Sequence, residues 1–84
     1  MYYTYILYSN TFDKTYVGFT SDLAARLIAH NHEKNTSWTK RYQPWELFYF
    51  EQFATKTEAM SREKELKSGV GREFIKSLKE GKDS

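Results

Sequence analysis

The stretch Tyr2-Tyr3-Thr4-Tyr5-Ile6-Leu7-Tyr8, then Ser9-Asn10-Thr11-Phe12-Asp13-Lys14, then Thr15-Tyr16-Val17-Gly18-Phe19-Thr20 decides how the chain is read. Residues 2–8 are β-formers throughout, too short and too aromatic to favour a helix. Residues 9–14 carry Ser, Asn and Asp, whose short side chains bond the local backbone in turns. Residues 15–20 return to strand composition, so the stretch predicts an antiparallel hairpin. Strand alternation puts Tyr3, Tyr5 and Leu7 on one face and Tyr2, Thr4, Ile6 and Tyr8 on the other. Tyr16 and Gly18 share a face of the second strand. A glycine inside a strand weakens it, so Gly18 marks a close approach of backbone or ligand.

Downstream of the hairpin, Asp22 is a natural N-cap for a helix over about 23–32. Leu23, Ala24, Leu27 and Ile28 form one apolar arc of that helix, with Arg26 and His30 side by side at its edge. Residues 33–44 are polar and read as a loop closed by Pro44. Residues 46–53 form a third strand. Thr55 with Glu58 is a capping-box pattern opening a helix over about 56–68, and Gly69 and Gly71 mark its end. A last short amphipathic helix carries Phe74, Ile75 and Leu78 on one side. The order is β-β-α-β-α-α, an α+β domain with a three-stranded antiparallel sheet flanked by helices. The domain is expected to span 1–80, with 81–84 a disordered tail.

Composition bounds the function. The chain has 84 residues, enough for one domain, with 13 Lys plus Arg against 11 Asp plus Glu. The absence of cysteine excludes a disulfide scaffold, a thiolate zinc site and Cys nucleophile chemistry. No apolar run approaches the roughly 20 residues of a membrane span, and residues 1–15 lack a signal-peptide core. The expectation is a soluble, cytoplasmic protein. Aromatic residues make up 18% of the chain and apolar residues only 39%, so rings must supply much of the core. Phe48, Phe50, Phe53 and Phe74 are assigned to it.

Glu63 is the residue in an unexpected place. With Ala59 at zero on a helical wheel, Leu66 falls near about −20°, Met60 near about 100° and Glu63 near about 40°. The carboxylate therefore points from the apolar face, where it is costly unless paired or ligating a metal. It is read as a buried ion pair with Arg26, as a helix end that stays wet, as a ligand for Mg²⁺ or Mn²⁺, or as the sign of a misjudged helix phase. A single carboxylate holds such a hard cation only with waters and a substrate phosphate completing the shell, which points toward phosphate-ester chemistry.

Tyr5, Tyr16-Val17-Gly18, Arg26, His30 and Glu63, in that order, resemble the GIY-YIG nuclease superfamily. The first motif stands here as Tyr3-Thr4-Tyr5 and the second as Tyr16-Val17-Gly18. Arg26 and His30 fit the family's next elements, and Glu63, followed by Leu66 and Lys67, resembles its metal-binding glutamate. The match spans about residues 2–80 and looks closest to small stand-alone bacterial members related to the excision-repair nuclease's N-terminal domain. Two departures are Tyr3 in place of the first motif's glycine and the absence of any Asn or Gln beyond Gln52.

The resemblance implies one-metal hydrolysis of phosphodiesters in DNA, or in RNA, with Mg²⁺ or Mn²⁺ anchored by Glu63. Arg26 would bind the phosphate, Tyr5 or Tyr16 would orient or deprotonate the water, and His30 would take the phenol's proton or hydrogen-bond its oxygen. The structural counterparts are Arg26 as a partner of Glu63, in a protein-interaction domain, and His30 as a surface helix residue. Lys34, Lys40 and Arg41, interleaved with Trp38 and Tyr42, suit backbone contact with base stacking, or else form a solvated loop. Lys67 joins them, within a segment 62–84 holding seven basic and five acidic residues. No base-reading element is evident, so binding is expected to be structure-directed or single-strand-directed, in DNA repair or recombination. The alternative is a nucleic-acid-binding module of the same fold with weak or no catalysis. Monomer and homodimer both suit so small a domain.

Overall fold

A computed structural model describes residues 1–82. Its elements are β1 (Tyr2–Ser9), β2 (Lys14–Thr20), α1 (Leu23–Asn31), a 3-10 turn (Trp38–Tyr42), β3 (Glu46–Phe53), α2 (Lys56–Leu66) and α3 (Gly69–Lys82). The strands form one antiparallel sheet in the order β2-β1-β3, so the tyrosine-rich β1 is central. Asp13 supplies the left-handed residue of the hairpin turn at φ 50°, a conformation that Asp tolerates better than most. Its carboxylate accepts a bond of 2.8 Å from the Tyr8 hydroxyl and pairs with Lys79 at 3.0 Å, which ties the turn to α3.

The two faces of β1 serve different layers, as the alternation expected. On one face Ile6 and Val17 pack against Leu66 of α2 and Ile75 of α3. Thr4, on the same face, donates to the Ala59 carbonyl at 2.7 Å and pins α2 to the sheet. On the other face Tyr5 and Leu7 bury with Trp45, under Tyr16, Leu23, Leu27 and Tyr42. Arg62 of α2 reaches Glu51 of β3 with two bonds of 2.9 Å, and the Tyr49 hydroxyl donates to the same carboxylate at 2.6 Å. Burial would raise the Glu51 carboxyl, but the bonds from Arg62 and Tyr49 hold it below its usual value.

Several expectations need adjustment. Only part of the α1 arc is covered: Leu23 and Leu27 face the sheet while Ile28 stays 66% exposed. The inward row of α1 runs through the partly buried Leu23 and Leu27 to the buried His30, so the helix is rolled toward its histidine edge. Phe50 is not core. It is 47% exposed on the edge strand, meeting Tyr3 edge-on at 6.0 Å. The polar segment 33–44 contains the 3-10 turn. Helix α2 stops at Leu66, and Gly69 opens α3 rather than merely ending α2. Gly71 sits where a Cβ would lie 2.1 Å from the Leu66 carbonyl oxygen, so the tight α2–α3 corner requires a glycine there. Of the tail expected at 81–84, residues 81–82 close α3 and residues 83–84 lie outside the described residues.

Candidate active site

The site is built around Tyr5, in the middle of the central strand and directly opposite Gly18 of β2. The glycine is there because the tyrosine ring lies across it: a Cβ at position 18 would stand 2.5 Å from Tyr5 Oη and 3.2 Å from the Tyr16 ring. The close approach expected at Gly18 is thus an approach of side chains. Helix α1 starts cleanly because the Asp22 carboxylate accepts from the Ala25 N–H at 3.1 Å. Its phase then places Arg26 on the exposed side and His30 inside, one turn apart. Tyr5 Oη and His30 Nε2 are 3.1 Å apart, and the His30 ring centroid lies 4.8 Å from that of Tyr16.

Glu63 enters from the other side, on α2. Arg26, Glu63, Tyr5, Tyr16 and Gly18 line one open cleft of about 340 Å³, together with Tyr2 and Lys56. His30 does not line it and stands behind Tyr5. A somewhat larger depression of about 390 Å³ between Tyr8, Phe48 and Lys79 holds the Asp13–Lys79 pair and none of these five residues.

The polar groups are tuned by burial. Burial, then the neighbouring Tyr16, push the Tyr5 phenol up to about 12, against the opposing pull of Arg26. Burial, then Arg26, hold His30 below its ordinary value. At neutral pH the pair is therefore a neutral phenol beside a neutral imidazole. Glu63 is half-buried, and among the described residues its ion pair is with Lys67 at 3.6 Å, with none to Arg26. The Arg26–Glu63 bridge weighed from the sequence does not form, and both groups remain directed to the cleft.

The donor set for a metal at this cleft is one carboxylate. Among the described residues no cluster of three or more His, Cys, Asp or Glu could cage an ion. Glu63 fits a hard divalent ion that keeps water and takes phosphate oxygens for the remaining positions. It does not fit a closed structural site.

The segment 33–45 reaches the site through its rings. Trp38 is 48% exposed and stacks on Tyr16 at 6.5 Å and 29°, while Tyr42 meets Trp38 at 4.6 Å. Lys34, Lys40 and Arg41 are exposed beside them, the Lys40 ammonium donating to the Glu33 carbonyl. Lys67 is exposed too, but it leans on Glu63. Sequence reasoning did not single out Thr39, Asn35 and Ser37, which bond one another around His30, nor Tyr2 and Lys56 on the cleft wall. The loop has no period to separate inward from outward residues, so its composition alone carried no such signal.

Residues 1–76 match the family model described as the GIY-YIG catalytic domain. The chain belongs to the GIY-YIG family. A UPF0213 protein of Staphylococcus epidermidis is 38% identical over 80 residues, covering 95% of this chain and 96% of its own length. A UPF0213 protein of Bacillus pumilus is 47% identical over 53 residues, covering 63% of this chain and 54% of its own. The solution NMR structure of a UPF0213 protein from Bacillus halodurans superposes with a TM-score of 0.53 at 34% identity, over 94% of this chain and 86% of that one. The family is one of nucleases, which act on nucleic acid and generally use divalent metals.

Proposed function

We propose that this GIY-YIG protein is a divalent-metal-dependent endonuclease that hydrolyses phosphodiester bonds in DNA, or in RNA. The observation that carries the reading is the convergence of Arg26, Glu63, Tyr5 and Tyr16 on one open cleft, from four different elements. Glu63 is the residue that would hold Mg²⁺ or Mn²⁺, and the bound ion would supply Lewis-acid polarisation of the phosphate. Arg26 offers its planar fork to the phosphate as charge develops.

Tyr5 is favoured over Tyr16 as the group that receives the water's proton, because Tyr5 is the one bonded to His30. The water loses a proton to Tyr5 Oη while the tyrosine's own proton passes to His30 Nε2, leaving an imidazolium. The water oxygen bonds to phosphorus as the P–O bond to the leaving strand breaks. That bond's electron pair stays on the leaving oxygen, which takes a proton from solvent. Handing the proton on avoids a free phenolate, which a phenol held near about 12 would resist.

Exposed Trp38 with Lys34, Lys40 and Arg41 supports contact with the backbone and unpaired bases of branched or single-stranded DNA, as met in repair or recombination. The test is cleavage of plasmid and branched DNA with Mg²⁺ or Mn²⁺, wild type beside Glu63→Ala and Arg26→Ala. Cleavage by wild type that both variants lose supports the proposal. Binding without cleavage above the variants would make the protein the alternative, a binding module of the same fold. The chain's lack of any Asn or Gln after Gln52, which leaves α3 no amide to offer a substrate, is the feature that favours that alternative.

A further inference from the structure

The hydrogen bonds around His30 fix its tautomer, because each ambiguous group is anchored to one of known polarity. Asn35 Nδ2 lies 3.0 Å from the His30 carbonyl oxygen, which can only accept, and Asn35 Oδ1 lies 2.8 Å from the Ser37 backbone N–H, which can only donate. The amide is therefore oriented without choice. Ser37 Oγ stands 2.7 Å from that Oδ1, so the single serine proton goes there. Ser37 Oγ is also 2.7 Å from Thr39 Oγ1, and with its proton spent it must accept from the threonine. Asn35 Nδ2 donates to Thr39 Oγ1 at 2.8 Å, which fills one of the threonine's two acceptor sites. What remains at Thr39 is one acceptor site, facing His30 Nδ1 at 2.9 Å. The ring must donate there.

We infer that Thr39 is a positioning residue, which holds the proton of neutral His30 on Nδ1 and so makes Nε2 the acceptor for the Tyr5 hydroxyl. Thr39 is buried, at 1% exposed, and so is His30, so water does not compete for either group. Ser37 acts through Thr39 by accepting its proton, and Asn35 by donating to its oxygen. The direction of the Tyr5–His30 bond follows: the phenolic hydrogen points away from the cleft. The tyrosine oxygen then turns its lone pairs to the side where Gly18 and Arg26 stand. This rests on the nuclease reading for its purpose, though not for its geometry. The opposite tautomer would put a hydrogen on Nε2 and turn the phenol's own hydrogen toward the cleft.

The experiment is two-bond ¹H–¹⁵N correlation of the histidine rings in the full chain at neutral pH, with plasmid cleavage measured on the same proteins. Wild-type His30 is expected to show a protonated Nδ1 and a bare Nε2. Thr39→Val keeps the shape and removes both hydrogen-bonding roles; it should shift His30 toward the Nε2-protonated form and lower the cleavage rate at saturating DNA. The loss should be on the order of tenfold to a hundredfold, the range for groups that orient metal-bound histidines, with KM little changed. Thr39→Ser restores the hydroxyl and should recover both the tautomer and the rate. A wild-type His30 protonated on Nε2 overturns the inference, as does a Thr39→Val ring with an unchanged tautomer. Should Thr39→Val not fold, Ser37→Ala frees the threonine's proton to turn toward the ring, and an unchanged tautomer there overturns it equally. Absence of cleavage in wild type, with the Nδ1 proton in place and Thr39-dependent, upholds the bond assignment and removes the nuclease reading instead.

Discussion

Tyr5 has a glycine beneath it and a histidine at its tip, so its position is set at both ends. Gly18→Ala would place a methyl 2.5 Å from Tyr5 Oη and 2.7 Å from Cζ, and the ring must move off His30 to admit it. The expected result is a destabilisation of about 1–3 kcal/mol, the usual penalty for overpacking, seen as a lower denaturant midpoint at unchanged m-value. Cleavage should fall with it. His30 makes a second prediction, on pH. Its folded pKa lies below the unfolded value, so on acidification the unfolded chain binds this proton first and the folded state loses stability. The loss begins as pH drops through about 6.5 and is absent above it. Denaturant titrations between pH 5 and 8 should show that slope for the wild type and a shallower one for His30→Gln. Tyr5 acts at the other end: its raised pKa means stability is intact below about 10 and declines as pH rises from about 10 toward 12. At this scale Tyr5, Tyr16, Gly18, Arg26, His30 and Glu63 were legible because motif order and helical phase mark them. Thr39 was not, since nothing in an aperiodic loop separates the residue under a histidine from its solvated neighbours.

The elements were legible wherever a period or a cap announced them. The hairpin of residues 2–20 and the caps Asp22 and Thr55 stand where composition put them, except that Ser9 and Lys14, read as turn, close the ends of the two strands. Thr55 accepts from the Glu58 N–H at 3.3 Å, while the Glu58 carboxylate takes the threonine hydroxyl rather than the backbone N–H of a full capping box. The α2–α3 corner was read less well, because two nearby glycines look alike in sequence and differ only in what surrounds them. A Cβ on Gly69 would meet nothing within 4 Å, whereas one on Gly71 would press into the Leu66 backbone. Gly69→Ala should therefore be neutral or stabilising by up to about 1 kcal/mol, through better helix propensity at the start of α3. Gly71→Ala should destabilise by about 3 kcal/mol or more, since a backbone atom cannot step aside as a side chain can. Thermal unfolding of the two variants side by side checks the contrast. Asp22→Ala should remove about 1 kcal/mol with the loss of the α1 cap, and loosen the helix that carries Arg26 and His30.

For the whole molecule, a net charge of +2 is a poor guide to what it binds, because the charges are unevenly placed. Lys34, Lys40 and Arg41 stand exposed with Trp38 on one loop beside the cleft. If that loop follows the phosphate backbone, DNA affinity should fall steeply with salt, and Lys40→Ala or Arg41→Ala should each lower the slope of log K against log salt by about 0.7–0.9. The layered architecture brings four elements to the site: β1 supplies Tyr5, β2 supplies Tyr16 and Gly18, α1 supplies Arg26 with His30 behind, and α2 supplies Glu63. The carboxylate on the apolar face of α2 faces the cleft rather than a buried partner. The most direct test is the rate of supercoiled-plasmid nicking against Mn²⁺ concentration, for wild type and for Glu63→Gln at equal folded fraction. The account predicts metal-dependent, saturable nicking by wild type and a rate at least about a hundredfold lower for Glu63→Gln. Equal nicking by the two proteins, or none by wild type at any Mn²⁺ concentration, would contradict it.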